Sequence, residues 1–297
     1  MSQNPINPQD LLRELGVDDA RVIEPVGGGW GDTSMWRVER AGRMTVLRVY
    51  PAQQRHIRDR EVEVLHAVTA IPVPSVEATG DPHGHPAMLI SWCPGTTLYE
   101  AIWSVPELAA PLGVELGRAQ AMLHQMPVTD RLRSALHTDW IGWRGSQEDT
   151  LSRAVRRSAS GAESLIHLDF HPLNVMVEGV TITGVIDWSN ALIGDPRADI
   201  ARTYSILTWM PFPHVASTHD AARIRFDLRR GWLRGYCDIA GPPSNLSPFL
   251  AWAAHVMVRD LSPKVGLSGF WLAENDLERL RRRAQRWLRA AGIEPET

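Results

Sequence analysis

The sequence predicts an α+β fold in two lobes, an antiparallel sheet with a helix first and a mainly helical remainder after it. Three observations carry this. Short runs of alternating apolar residues, separated by turn residues, fill the chain as far as Cys93-Pro94-Gly95. Longer stretches with apolar residues three and four apart fill it from there on. Hydrophobic residues make up 44% of the 297 positions, enough for a sizeable core. The first lobe therefore takes residues 1–93 and the second 94–297.

Each element has its own signal. Asn7-Pro8 followed by QDLLREL and Gly16 reads as a short capped helix, with an Asn cap, Pro in the first turn and Gly at the stop. RVIEPV is a strand that runs into GGGWGD, and TSMWRVER and MTVLRVY are two more strands joined by a tight turn at Ala41-Gly42. RDREVEVLHAVTA places Val62, Leu65 and Val68 three apart, a helical spacing, and Ile71-Pro72-Val73-Pro74 stops it. SVEATG and AMLISW are strands with DPHGHP turning between them. GVELGRAQAMLHQM is a strongly apolar helix ending near Pro127, and residues 128–160 read as irregular and Arg-rich. TITGVIDW is a strand. From Asp199 onward helices dominate: IARTYSILTWM, AARIRFDLRRGWLRGY, LSPFLAWAAHVMV and the basic NDLERLRRRAQRWLRAAG.

Composition narrows the function. A formal net charge of −3 argues against nucleic acid as the main partner. Two cysteines, Cys93 and Cys237, make no disulfide framework and suit a reducing cytoplasm. The first residues lack the basic head and apolar core of a signal peptide, and no apolar run reaches the roughly 18 residues of a membrane span. Lys264 is the only lysine, a bias toward arginine that belongs to the whole chain rather than to a site. Twelve tryptophans read mainly as large core fillers. His124 reads as a helix-end histidine, and the arginine run 281–283 as a solvated helix face.

The chemistry concentrates in IHLDFHPLNVMV, residues 166–177. His167, Asp169, His171 and Asn174 stand where a core strand should begin. Pro172 forbids a regular helix there and favours a fixed loop. Asp187 follows at the end of TITGVID. Two carboxylates and a carboxamide within one hairpin are hard to explain as packing, and they suit a magnesium and hydroxyl site, since Mg²⁺ takes a few carboxylates with phosphate oxygens and water. A rival reading takes His167, Asp169 and His171 as the ligands of a metal-dependent hydrolase.

HLDFHPLN followed by GVIDWSNALIGDPRADIA resembles the aminoglycoside phosphotransferase family, small-molecule kinases related to protein kinases, whose pattern is H-G-D-x-H-P-x-N, then I-D-W, then G-D-P-x-x-D-[LI]-A. The resemblance covers the order of elements over nearly the whole chain, with a specific core from His167 to Ala201. It implies a protein-kinase-like bilobal fold and transfer of a γ-phosphate from ATP, with GTP as an alternative donor, to a hydroxyl of a small molecule. By the same resemblance Asp169 accepts the hydroxyl proton, Asn174 and Asp187 hold Mg²⁺, and His171 faces the γ-phosphate. His167 braces the loop, and Asp199 bonds its backbone.

The resemblance also assigns nucleotide clamps to the first lobe. Gly27, Gly28, Gly29 and Gly31 form a glycine-rich flap between two strands, whose bare amides can approach phosphates. Arg48 stands where a kinase has lysine, with Glu61 as its ion-pair partner; Glu63, two residues on, points away from that face. The hinge for the base is Ile90 to Cys93, including Trp92. Arg48 is a planar fork rather than a point charge, and its presence supports a second rival, a nucleotide-binding pseudokinase. The acceptor falls to residues 128–160 and the helices after 200. Acids there suit a cationic antibiotic, whereas Trp209, Trp232, Trp252 and Trp271 suit an apolar or macrocyclic one. An amino sugar or amino alcohol metabolite fits the same chemistry.

Overall fold

The computed structural model describes residues 7–27, 33–136, 138–142, 150–212, 217–267 and 272–293. Helix α1 (Pro8–Glu14) starts under the Asn7 cap, whose side chain accepts from the Gln9 amide at 3.1 Å. Strands β1 (Ala20–Pro25), β2 (Ser34–Arg40) and β3 (Arg43–Val49) follow, then helix α2 (Arg55–Ala67), β4 (Val76–Gly80) and β5 (Ala87–Ser91). They form one antiparallel sheet in the order β1-β2-β3-β5-β4. Successive side chains of a strand point to opposite faces. In β3 this sends Leu47 and Val49 into a core with Leu11, Leu12, Val38 and Leu89. Arg48 goes to the other face, toward α2.

The remainder comprises β6 (Thr96–Thr97), α3 (Leu98–Ser104), α4 (Ala109–Gln125), α5 (Asp130–Ala135), α6 (Thr150–Ser158), β7 (Ser164–Ile166), β8 (Val175–Glu178), β9 (Thr181–Val185), β10 (Leu192–Gly194), α7 (Pro196–Trp209), α8 (Thr218–Ala240), α9 (Ser247–Leu261) and α10 (Glu274–Ala290). β6, β8 and β9 make a small sheet, and β7 pairs with β10. α7 begins where Asp195-Pro196 predicts a cap: Asp195 Oδ1 accepts from the Arg197 amide at 3.0 Å. The largest core runs from the sheet into the helices, joining Tyr50, Met88 and Leu65 to Leu98, Leu116, Phe170 and Trp188. No helix among the described residues is long and apolar enough to cross a membrane.

Sequence pattern misses several short elements. α3, α5, α6 and β10 are too brief to show a period, and β10 exists only through pairing with β7. The stretch 128–160, read as irregular, therefore contains two helices.

A seam between α4 and α8 is also invisible to periodicity. Gly113 and Gly117 on α4 meet Gly231 and Gly235 on α8 so closely that a methyl on any of them would collide with the facing backbone. Trp232 and Tyr236 lie buried beside the seam. Trp252 is buried against Trp140, 5.3 Å between ring centroids. Trp232 and Trp252 are thus core residues, and the expectation that they face an apolar acceptor is corrected; Trp271 lies outside the described residues.

Candidate active site

The catalytic-loop candidate leaves β7 and turns sharply. Leu168 adopts a left-handed φ of +63° at the position where the family pattern has glycine, a conformation costing a non-glycine residue about 1–2 kcal/mol. Three contacts hold it there. The Leu168 amide donates to Asp199 Oδ1 at 2.6 Å, its carbonyl accepts from Arg202 Nε at 3.2 Å, and its side chain is fully buried. One residue further, the Phe170 carbonyl accepts from Thr203 Oγ1 at 2.9 Å. Helix α7 thus grips the loop with residues 199, 202 and 203, one helical face.

Asp199 has a second set of partners that sequence reading did not reveal. Its Oδ2 takes His124 Nε2 at 2.9 Å and Gln120 Nε2 at 3.1 Å. His124 Nδ1 meets the Tyr236 hydroxyl at 3.0 Å, and Trp232 Nε1 donates to Gln120 Oε1 at 2.8 Å. Burial works to raise the Asp199 carboxyl, but the bond and charge of His124, with His167 and Gln120, together outweigh it and hold the group below the ordinary range. His124 is therefore not a bland helix-end residue; it anchors the loop's anchor. The available signal was a polar pair, Gln120 and His124, four apart on an otherwise apolar helix.

His167 is wholly buried. Its Nδ1 accepts from the Asp169 amide at 3.3 Å and its Nε2 donates to the Ile186 carbonyl at 3.2 Å. Both ring nitrogens are committed to backbone, and burial lowers its pKa, which keeps the ring neutral. A His167/Asp169/His171 metal triad is thereby ruled out, since no imidazole nitrogen of His167 is left to ligate. No group of three or more His, Cys, Asp or Glu with metal-holding geometry occurs among the described residues.

Asp169, Asn174 and Asp187 come together around the hairpin of β8 and β9. Asn174 Nδ2 donates to the Asp169 carbonyl at 3.1 Å and faces its carboxylate at 3.4 Å. The Ile186 amide donates to the Asn174 carbonyl at 2.9 Å, which ties both ends of the hairpin and delivers Asp187. Asp187 is also left-handed, φ +62°. His171 Nδ1 accepts from the Leu173 amide at 3.2 Å, so its Nε2–H faces Asp169 Oδ1 at 3.4 Å. Burial would raise the Asp169 carboxyl; His171 and Arg202 outweigh it and hold the group well below the usual carboxylate range. His171 points to Asp169 rather than outward.

Arg48 bridges the sheet to this hairpin. Its Nη1 donates to Glu61 Oε1 at 2.7 Å and its Nη2 to Asp187 Oδ1 at 3.1 Å. Glu61, essentially inaccessible, also accepts from the Tyr50 hydroxyl at 2.7 Å and the Trp188 amide at 3.1 Å. Glu63 faces elsewhere and pairs with Arg131. At the hinge, Ile90 lies inside the ladder opposite Val46 and Val76, and the Trp92 amide donates to the Met44 carbonyl at 3.2 Å. Ile90 and the Trp92 amide are thus occupied within the sheet, and the next amide in the chain, that of Cys93, carries no bond among the described residues. Gly27 has open space around its Cα; Gly28, Gly29 and Gly31 lie outside the described residues.

Among the described residues two oxygens have no partner: Asn174 Oδ1 takes no hydrogen bond, and Asp187 uses only Oδ1, toward Arg48 and Ser189. A carboxamide oxygen and a carboxylate oxygen beside a second carboxylate are hard donors of the kind Mg²⁺ takes.

A family model described as the phosphotransferase enzyme family matches residues 22–239. Over 285 residues the chain is 25% identical to acyl-CoA dehydrogenase family member 10 of Mus musculus, covering 80% of this chain and 26% of that protein. It is 26% identical over 203 residues to hygromycin-B 4-O-kinase of Escherichia coli, covering 57% of this chain and 58% of that protein. The chain thus spans about a quarter and rather more than half of the curated relatives it matches. A thermostable mutant of aminoglycoside phosphotransferase APH(4)-Ia, solved in ternary complex with ADP and hygromycin B, superposes with a TM-score of 0.60 at 19% identity, over 96% of this chain and 98% of that one. That likeness shows the fold, the protein-kinase-like arrangement of an antiparallel sheet followed by helices.

Proposed function

The chain belongs to the phosphotransferase enzyme family, and on that premise we propose that it is an ATP-dependent kinase of a small-molecule hydroxyl, with GTP as an alternative donor. The acceptor is an antibiotic such as an aminoglycoside or macrolide, or a metabolite such as an amino sugar or amino alcohol. The observation that supports this most is the convergence of Asp169, Asn174 and Asp187, with one oxygen on each of the last two uncommitted among the described residues. Residues 1–93 bind the nucleotide, and residues 94–297 carry the catalytic loop and the acceptor.

In this reading Asp169 orients the acceptor hydroxyl. Held below the ordinary carboxylate range, it is ionised at any working pH and is a weak base. It therefore takes the proton late, as the oxygen–phosphorus bond forms and the bond from the γ-phosphorus to the bridging oxygen breaks. His171 donates to Asp169 and fixes its rotamer. Asn174 Oδ1 and Asp187 Oδ2 are the protein ligands for Mg²⁺. Bound there, the ion would neutralise charge on the β- and γ-phosphates. Arg48 holds Glu61 and Asp187 at once, a geometry that suits a guanidinium fork better than a single ammonium. His167 and Asp199 keep the loop in its strained turn.

The test is Asp169→Asn, assayed by ATP turnover across aminoglycosides, macrolides, amino sugars and amino alcohols. The expected result is a fall in kcat of about 10²–10⁴-fold with ADP binding retained. Full turnover by the variant, or no turnover by the wild type on any alcohol, would defeat the reading.

A further inference from the structure

Helices α8 and α10 both place arginines four apart, Arg225 and Arg229 on one, Arg279 and Arg283 on the other. Residues four apart lie on one helical face. The two faces meet over Tyr204 of α7. Arg283 Nη2 donates to the Tyr204 hydroxyl at 2.8 Å, and the guanidinium carbons of Arg229 and Arg283 lie 5.9 and 5.7 Å from its ring centre. Arg225 Nη1 reaches the Met210 carbonyl at 3.3 Å. Arg283 was expected on a solvated face; it is half-buried and turned inward, unlike Arg281 and Arg282, which pair with Glu274 and Glu278.

The charges in this cluster are not balanced. Arg279 pairs with Asp276, but among the described residues no carboxylate reaches within 4 Å of Arg225, Arg229 or Arg283. Burial, and then Arg229 and Arg279, depress the Arg225 pKa; burial, and then Arg283 against the opposing Tyr204, depress that of Arg229. Three guanidinium groups, half-buried and mutually repelling, are costly unless an anion joins them. Guanidinium forks match carboxylate and phosphate oxygens bidentately.

The cluster is also tied to the catalytic loop. Next to Met210, the Pro211 carbonyl accepts from the Tyr99 hydroxyl at 2.6 Å, and the Tyr99 amide donates to the Pro172 carbonyl at 3.0 Å. Tyr99 stacks on Phe212 at 5.3 Å. Tyr204 itself follows Thr203, which holds the Phe170 carbonyl. One helix thus presents the loop on one face and the arginines on the adjoining one.

We propose that the arginine cluster around Tyr204 is an anion subsite, in which Arg225, Arg229 and Arg283 take the carboxylate or phosphate group of a hydroxylated acceptor. This rests on reading the chain as a small-molecule kinase. It narrows the acceptor to an anionic alcohol and disfavours amine-rich ones.

The test uses the full chain saturated with ADP and Mg²⁺, so that the nucleotide site is filled, and compares wild type with Arg229→Gln/Arg283→Gln. Millimolar inorganic phosphate should raise the Tm of the wild type and leave the double variant unmoved. Without phosphate the variant should be at least as stable as the wild type, because repulsion is relieved; a merely structural cluster would lose stability instead. Turnover is then measured on matched alcohols bearing a carboxylate, a phosphate, an amine or no charge, which also separates the two anions. An anionic alcohol should exceed its amine counterpart in kcat/KM by about ten-fold or more, and the variant should raise its KM similarly with kcat nearly unchanged. Preference for amine alcohols, with an equal phosphate response in both proteins, overturns the anion subsite alone. Phosphate binding that vanishes in the variant, with no alcohol phosphorylated, overturns the kinase reading and the acceptor role with it.

Discussion

Replacing Arg48 by Met removes two ion pairs while keeping most of the stem's bulk, and its consequence follows from what is left behind. Glu61 is buried and loses the one cation that pairs with it among the described residues. Deleting one partner of a buried pair costs about 3–5 kcal/mol, because the other charge is stranded. Glu61 retains the Tyr50 hydroxyl at 2.7 Å and the Trp188 amide at 3.1 Å. The lower end, about 3 kcal/mol at about pH 8, is therefore expected. Burial already raises the Glu61 carboxyl, with Arg48 as the main opposing influence, so the variant raises it further. A carboxyl whose folded pKa exceeds its unfolded one favours the fold at low pH and loses that stability as pH rises through the folded value. The deficit should thus shrink toward about pH 5 and widen toward about pH 8. Urea unfolding at both pH values measures it, and adding Glu61→Gln, which removes the stranded charge but keeps its hydrogen-bond acceptor, should restore most of the loss at the higher pH. A deficit under about 1 kcal/mol, or one equal at both pH values, would mean that Glu61 does not depend on Arg48.

Two further substitutions probe the scaffold. Asp199→Ala strands the Leu168 amide, His124 and Gln120 together; a loss of about 2–4 kcal/mol in urea unfolding is expected, together with a fall in kcat at unchanged ADP affinity, since the loop rather than the nucleotide site is released. Gly117→Ala should cost at least about 3 kcal/mol or yield insoluble protein, because its methyl meets the Trp232 carbonyl. Gly179→Ala, in an open turn at φ +60°, serves as the control and should cost only about 1 kcal/mol by thermal unfolding.

Much of this was legible in the sequence, and for stated reasons. Strand alternation sends Arg48 and Leu47 to opposite faces, so the meeting of Arg48 with Glu61 follows once β3 and α2 are recognised. The proline in HPLN and the spacing to Asp187 mark a hairpin that carries oxygen donors. What stayed hidden depends on long-range packing. His124 meets Asp199 across 75 positions of chain, and its pairing with Gln120 on one helix face marks a polar spot without naming the partner. Arg283 sits within a run of three arginines, and only the approach of α7, through Tyr204, turns it inward. β10 has no pattern of its own, only a partner.

The four glycines between α4 and α8 divide the longer helix by what each half tolerates. Near Gly231 and Gly235 the two backbones touch, and the same stretch supplies Trp232 and Tyr236 to the network behind Asp199. The amino-terminal turns are held as well, since Ala221, Ile224 and Leu228 are buried in the same core, but Arg225 and Arg229 between them are only half-buried. Substitutions at those two positions can retune what the helix recognises without disturbing the welded portion. Divergence among relatives should therefore gather at the half-buried and exposed positions of α8, while the glycine seam stays small-residue and nearly invariant.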